Sequence, residues 1–299
     1  MSINESDEIR GTADSTPPGP IVFVRGLVAE QLPQPPPPPA PHSRMRLLPA
    51  LLFVATCSST LFAGGWAYAG SVMVILACHE AGHFIQARRY GVYTSFPFFL
   101  PMPLGPLGTW GAVISMDPHI GDRRKLFDIG ITGPLAGLVP TLVCCVVGMY
   151  LTDGGAVGGA ADRYPPVLQF LAYWFNAPMP PGHAQVHPVL FAGWVGLLLT
   201  SLNLMPIGQL DGGHILYALL PKGAHRVAKT LLLAAIAAII LFEQWFWVVM
   251  LVLAILIGPF HPPTGDDKVP LGPVRIVLGW LTLAFILIGF TPNPIRFLQ

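Results

Sequence analysis

His79, Glu80 and His83 fall together as "HEAGH" inside "LACHEAGHFIQARR", residues 76–89. On a helix the two imidazoles, four residues apart, share one face and can hold a single metal ion, while Glu80 beside them can reach a water at that ion. This is the HExxH spacing of zinc hydrolases. The plainer reading is a polar patch of interhelical hydrogen bonds, because five-residue matches arise by chance. The flanks "SVMVILAC" and "FIQA" weigh against it: they are apolar, and ionisable groups at membrane depth are rare unless functional. An unpaired Glu80 would be costly there, and a neighbouring cation reached by water removes that cost.

A catalytic zinc site takes three protein ligands plus water. The third is expected from Asp211, in "NLMPIGQLDGGH" at residues 203–214. It stands at the cytoplasmic end of a later apolar segment, at the same depth as His79 and His83, and Pro206 ends or kinks the helix before it. In the competing reading Asp211 caps the helix that begins near "HILYALL". The ligand types suggest one zinc ion per chain, although geometry and supply decide among first-row metals.

These residues must be positioned by membrane helices. The chain has 299 residues, 53% hydrophobic and 10% charged, against roughly 25% charged in soluble domains. A polytopic, all-α membrane protein is expected, with about seven spans near 47–69, 70–90, 126–151, 186–205, 228–242, 245–258 and 274–291. "EQ" at 243 and 244 interrupts the fifth and sixth spans, which form a tight hairpin or one long tilted helix; the hairpin is preferred because it keeps Lys268 and Arg275 on the cytoplasmic side. With the N-terminus inside, fourteen of the sixteen Lys and Arg lie on the cytoplasmic side, which sets the orientation. Residues 93–118 are apolar but broken by prolines and glycines, so a re-entrant loop or small β-hairpin beside the active site is expected. Residues 1–43 form a disordered Pro-rich cytoplasmic tail containing "PQPPPPPAP", with residues 44–299 as the transmembrane domain. No signal-peptide h-region precedes it. Cys57, Cys78, Cys144 and Cys145 are read as apolar packing residues. A net charge of +1 gives no basic footprint for nucleic acid.

"HEAGH" in one apolar helix, followed by "NLMPIGQLDGG" in a later one, resembles the two motifs of the site-2 protease family of intramembrane zinc metalloproteases. The likeness covers about residues 70–220. It takes in "GPLAG" at 133–137, and "PFFLPMPLGPLGTWGAV" resembles a loop of chloroplast-type members and their bacterial relatives. The resemblance implies zinc ligands at His79, His83 and Asp211, a general base at Glu80, and a substrate-positioning role for Asn203. It also implies single-span membrane proteins as substrates, cleaved within or near their membrane segments. A multi-pass protein of a bacterial cytoplasmic membrane is the expected setting, without the PDZ domain of other members.

A helical substrate hides its carbonyls, so it must unwind before attack, and "WGAVISM" at 110–116 is expected to hold it by strand addition. "GPLAG" is read as close helix packing in preference to direct catalysis. His119, His183, His187, His214, His225 and His261 are assigned solvated or hydrogen-bonded places in loops and at helix ends. The rival functions are a metal transporter or sensor, since intramembrane His and Asp also mark ion pathways, and an inactive scaffold that binds helices without cutting them.

Overall fold

The apolar run from Leu47 can satisfy its backbone in lipid only as helix. In the computed structural model it is α1, Leu47–Arg89, 43 residues. Unbroken, such a helix would be about 65 Å long, twice the ~30 Å of a hydrocarbon core. It is broken at Gly65, where φ is 75° and ψ −174°. Residues 47–64 and 66–89 remain, about 27 and 36 Å long. The sequence pattern divides the two arms near residue 69. The break comes earlier because a residue without Cβ takes positive φ cheaply, and hydropathy does not register that. Ser59 and Tyr68, one from each arm, donate hydroxyl hydrogen bonds to the Gly108 and Leu107 carbonyls, at 2.6 and 2.5 Å.

Those carbonyls belong to a hairpin. β3 (Phe98–Pro101) pairs antiparallel with β4 (Thr109–Val113), with Phe98 opposite Val113 and Leu100 opposite Gly111. The pairing resumes at a bridge between Thr94 and Met116. The apolar, proline-broken segment is therefore a small β-hairpin, anchored on α1 by an edge-to-face contact of Phe99 with Phe53.

α2 (Arg123–Leu151) starts where Asp122 accepts from the backbone N–H groups of Arg124 and Lys125. α3 (Pro166–Phe175) is a ten-residue helix that the spacing of apolar residues does not announce. α4 (Pro188–Asn203) starts on Pro188, with the His187 ring accepting from Val189 N–H. Then follow the short α5 (Asp211–Leu219), α6 (Ala224–Leu241), α7 (Trp247–Ile257), α8 (Pro273–Ala284) and α9 (Ile286–Gly289). α1, α2 and α6 are long and apolar enough to cross a membrane. α4 and α7, at 16 and 11 residues, are shorter than the ~20 of a straight span. α6 ends before Glu243, whose φ of 52° breaks any continuous helix toward α7.

The structure describes residues 23–24, 27–28, 47–103, 105–116, 121–152, 164–179, 186–243 and 247–291. The chain divides into two units, Met1–Pro41 and His42–Gln299. In the first, the described residues are the paired strands β1 (Phe23–Val24) and β2 (Leu27–Val28); the rest of the expected tail, like His119 and His183, lies outside the described residues. In the second, Tyr68, Met149, Trp194 and Leu197 anchor one apolar core where α1, α2, α4 and the hairpin meet. Phe127, Leu204, Ile215 and Leu271 anchor another.

Candidate metal centre

His79 and His83 lie one turn apart on the second arm of α1, both buried. Asp211 is the first residue of α5, and its carboxylate does not cap that helix: Leu210 holds the N-cap position and no side chain bonds there. The carboxylate reaches α1 instead. Asp211 Oδ2 is 3.0 Å from His79 Nε2, Oδ1 is 3.2 Å from His83 Nε2, and the two imidazole Nε2 atoms are 3.1 Å apart. One ligand atom from each of the three residues falls within 4.8 Å of the others.

The donor chemistry fits a cation. His83 Nδ1 lies 2.8 Å from the Ile129 carbonyl, which can only accept, so Nδ1 carries the proton. His83 Nε2 is thereby directed at the Asp211 carboxylate, with His79 Nε2 alongside, so that three possible ligand atoms face one point. Such a trio needs positive charge at its centre. Its spacings also match the edge of about 3.3 Å expected for a tetrahedron with Zn–N near 2.0–2.1 Å. The Ile129 bond is the outer-shell contact that fixes a ligating histidine's tautomer and ring plane.

α2 holds this arrangement through a stripe of glycines. A Cβ at Gly133 would lie 2.0 Å from His83 Nε2, and one at Gly137 would lie 2.9 Å from His79 Cβ. "GPLAG" is thus a packing element, as its sequence suggests, and the surface it packs against is the pair of histidines. Gly130, one turn earlier, faces α5, where a Cβ would lie 2.9 Å from His214 Cβ.

A cavity of about 370 Å³ opens on these groups. Buried Glu80 lines it together with the three candidate ligands and Asn203, whose Nδ2 is 3.4 Å from His79 Nε2. Residues 112–116 of the hairpin form another wall. His214 and His261 also line the cavity, although the sequence offers them only loop or helix-end places. The signal for His214 is its position three residues after Asp211, on the same face of α5. His261, 47 residues further along in a proline-flanked loop, carries no comparable signal.

The sequence model of peptidase family M50 matches residues 67–242, more than half of the chain and inclusive of all five site residues. The chain belongs to peptidase family M50. Among its relatives, "Probable zinc metalloprotease EGY2, chloroplastic" of Arabidopsis thaliana is 28% identical over 233 residues, which cover 75% of this chain and 41% of that protein. "Probable zinc metalloprotease EGY1, chloroplastic" of Oryza sativa subsp. japonica is 34% identical over 168 residues, 51% of this chain and 28% of the relative. "Probable zinc metalloprotease EGY3, chloroplastic" of Oryza sativa subsp. indica is 30% identical over 245 residues, 73% and 40% respectively. The chain thus spans about two fifths or less of the length of these M50 relatives. Their names place those proteins in chloroplasts and give the expected bacterial membrane no support. No solved structure matches the chain.

Proposed function

We propose that this M50 chain is an intramembrane zinc metalloendopeptidase that hydrolyses peptide bonds within or near the membrane segments of single-span substrates. The observation that carries the reading is the convergence of His79, His83 and Asp211 on one point of a buried cavity that Glu80 also lines. Those three residues would hold the ion. Zinc bound there supplies a Lewis acid that polarises a scissile carbonyl and makes water a stronger nucleophile. Glu80 takes the proton from the attacking water and returns it to the leaving amine. Asn203, within reach of the His79 ring, positions the substrate carbonyl. Residues 44–299 form the catalytic membrane domain, with the shorter helices completing about seven tilted or partial crossings, a cytoplasmic N-terminus, and residues 1–43 as a tail.

The hairpin is suited to hold an unwound substrate. Ser115 is already committed, donating its N–H to Ser95 Oγ and accepting from Ser95 N–H. Strand alternation therefore directs the backbone groups of Ile114 and Met116 away from that partner. They are the ones free to pair with an extended peptide. Proline at Ile114 or Met116 should slow cleavage about tenfold or more while leaving bound zinc unchanged. Proline at Ser115 would instead disrupt the hairpin itself. Cleavage undiminished by proline at Ile114 and Met116 would remove the strand clamp.

The deciding experiment compares purified wild type with Glu80→Gln for bound zinc and for cleavage of a panel of single-span peptides. Zinc should stay near one per chain in both. Cleavage should fall by at least about 100-fold in the variant, the scale of a lost general base. Zinc flux into liposomes that survives Glu80→Gln, without cleavage by either protein, would overturn the protease reading.

A further inference from the structure

Two histidines at the cavity have no part in the chemistry above: His214 on α5 and His261 in the segment joining α7 to α8. They form a chain of hydrogen bonds with a direction. His261 Nδ1 lies 2.5 Å from the Pro262 carbonyl, which can only accept, so the proton is on Nδ1. Burial holds His261 below the ordinary histidine range, so its ring is neutral and Nε2 is an acceptor. His214 Nδ1 faces that acceptor at 2.7 Å and must donate. A charge on the buried His214 ring, beside a second imidazole, is disfavoured in turn. Its own Nε2 is thereby left as a lone pair, with no hydrogen-bond partner among the described residues, at the wall of the cavity.

The tie is firm on the far side as well. Tyr217 stacks on His261 with ring centroids 4.6 Å apart and donates its hydroxyl to Asp267 at 2.8 Å. His225 Nε2 lies 2.9 Å from the His261 carbonyl. The chain ends at the Pro262 carbonyl, which cannot carry a proton onward, so the pair is no proton wire. It is a fixed acceptor on a residue that lines the cavity.

The geometry points to His214 as a substrate-positioning residue, whose Nε2 accepts a hydrogen bond from a backbone N–H of the extended peptide, with His261 holding the tautomer that allows it. This rests on the protease reading. An unwound segment brings bare N–H groups into a buried site, and each requires an acceptor. The open edge at Ile114 and Met116 serves one side of the peptide. His214, on α5, can serve N–H groups that this edge does not.

The test uses a single-span peptide that the wild type cleaves, together with versions in which one backbone amide near the scissile bond is replaced by an ester, removing a single N–H. Wild type, His214→Phe, His214→Gln and His261→Phe are compared for bound zinc, KM and kcat. Zinc should be equal in all four. His214→Phe should raise KM about 3- to 10-fold, the range of one neutral hydrogen bond, with kcat changed less than about twofold. One ester should cost the wild type the same factor and cost His214→Phe nothing more. His214→Gln, whose side-chain carbonyl reaches the position of Nε2, should recover part of the loss. An unchanged KM in His214→Phe, or ester and substitution losses that multiply, overturns the assignment. Should His214→Phe fail to fold, His261→Phe decides it, and an ester penalty equal to that of the wild type overturns the assignment. A wild type that binds no zinc and cleaves no peptide overturns the protease reading itself, and this inference with it.

Discussion

α4 and α6 are similar in length and composition, yet they sit in opposite surroundings. Twelve of the sixteen residues of α4 are buried, against three of the eighteen in α6. Apolar content alone does not explain this, because both contain long apolar runs, although α6 opens with His225, Arg226 and Lys229. What differs is the presence of glycines, since α6 is rich in alanine but has none. A Cβ at Gly193 would lie 2.7 Å from Cys145 backbone N, one at Gly196 2.7 Å from Thr141 Oγ1, and one at Gly148 of α2 2.3 Å from Leu190 N. α4 therefore packs backbone to backbone on α2, the mode that holds helices together in lipid, where hydrophobicity supplies no drive between them. α6 contains no glycine and keeps Leu233, Ile240 and Leu241 exposed. Between these two apolar helices, glycine placement decides which goes inside.

The strongest way to break this contrast is to remove the closest approach. Valine at Gly133 would put carbon where His83 Nε2 now lies, since even a bare Cβ there falls 2.0 Å from that atom. The ring must turn away, losing its Ile129 bond and its aim at Asp211. Zinc affinity should drop at least as far as when outer-shell partners of a ligating histidine are lost, 10- to 100-fold, and cleavage should fall with it. Metal content by mass spectrometry or chelator competition reads the effect. Full zinc occupancy in Gly133→Val would mean that α2 does not set the histidine geometry.

The same contrast explains what the sequence makes legible. His79, Glu80, His83 and Asp211 can be read directly because their types and spacing are chemical: two imidazoles on one helical face, a carboxylate beside them, and an Asp at matching depth. The structure brings those four to one cavity. The bounds of α2, α4, α6 and α7 follow hydropathy to within a few residues. The bend at Gly65 is not legible, because two adjacent glycines in an apolar run leave hydropathy unchanged while one of them takes a positive φ. α3 escapes notice because ten residues are too few to show a span. His214 and His261 escape because their pairing depends on a loop between α7 and α8 folding back on α5, a long-range contact that no local pattern encodes.

Two stability measurements sharpen the comparison at its weaker end. Gly148→Val forces carbon into the Leu190 backbone on the packed side, and overpacking of that kind costs about 1–3 kcal/mol. Leu233→Ala trims a side chain that is 58% exposed on α6, and a change of that kind stays within about 0.5 kcal/mol. Unfolding in detergent, followed by denaturant titration, should separate the two, with zinc content unaltered in Leu233→Ala. The small value is the more informative. If Leu233→Ala costs as much as Gly148→Val, α6 has a partner that its exposed face does not disclose, and glycine placement would no longer account for which of the two helices lies inside.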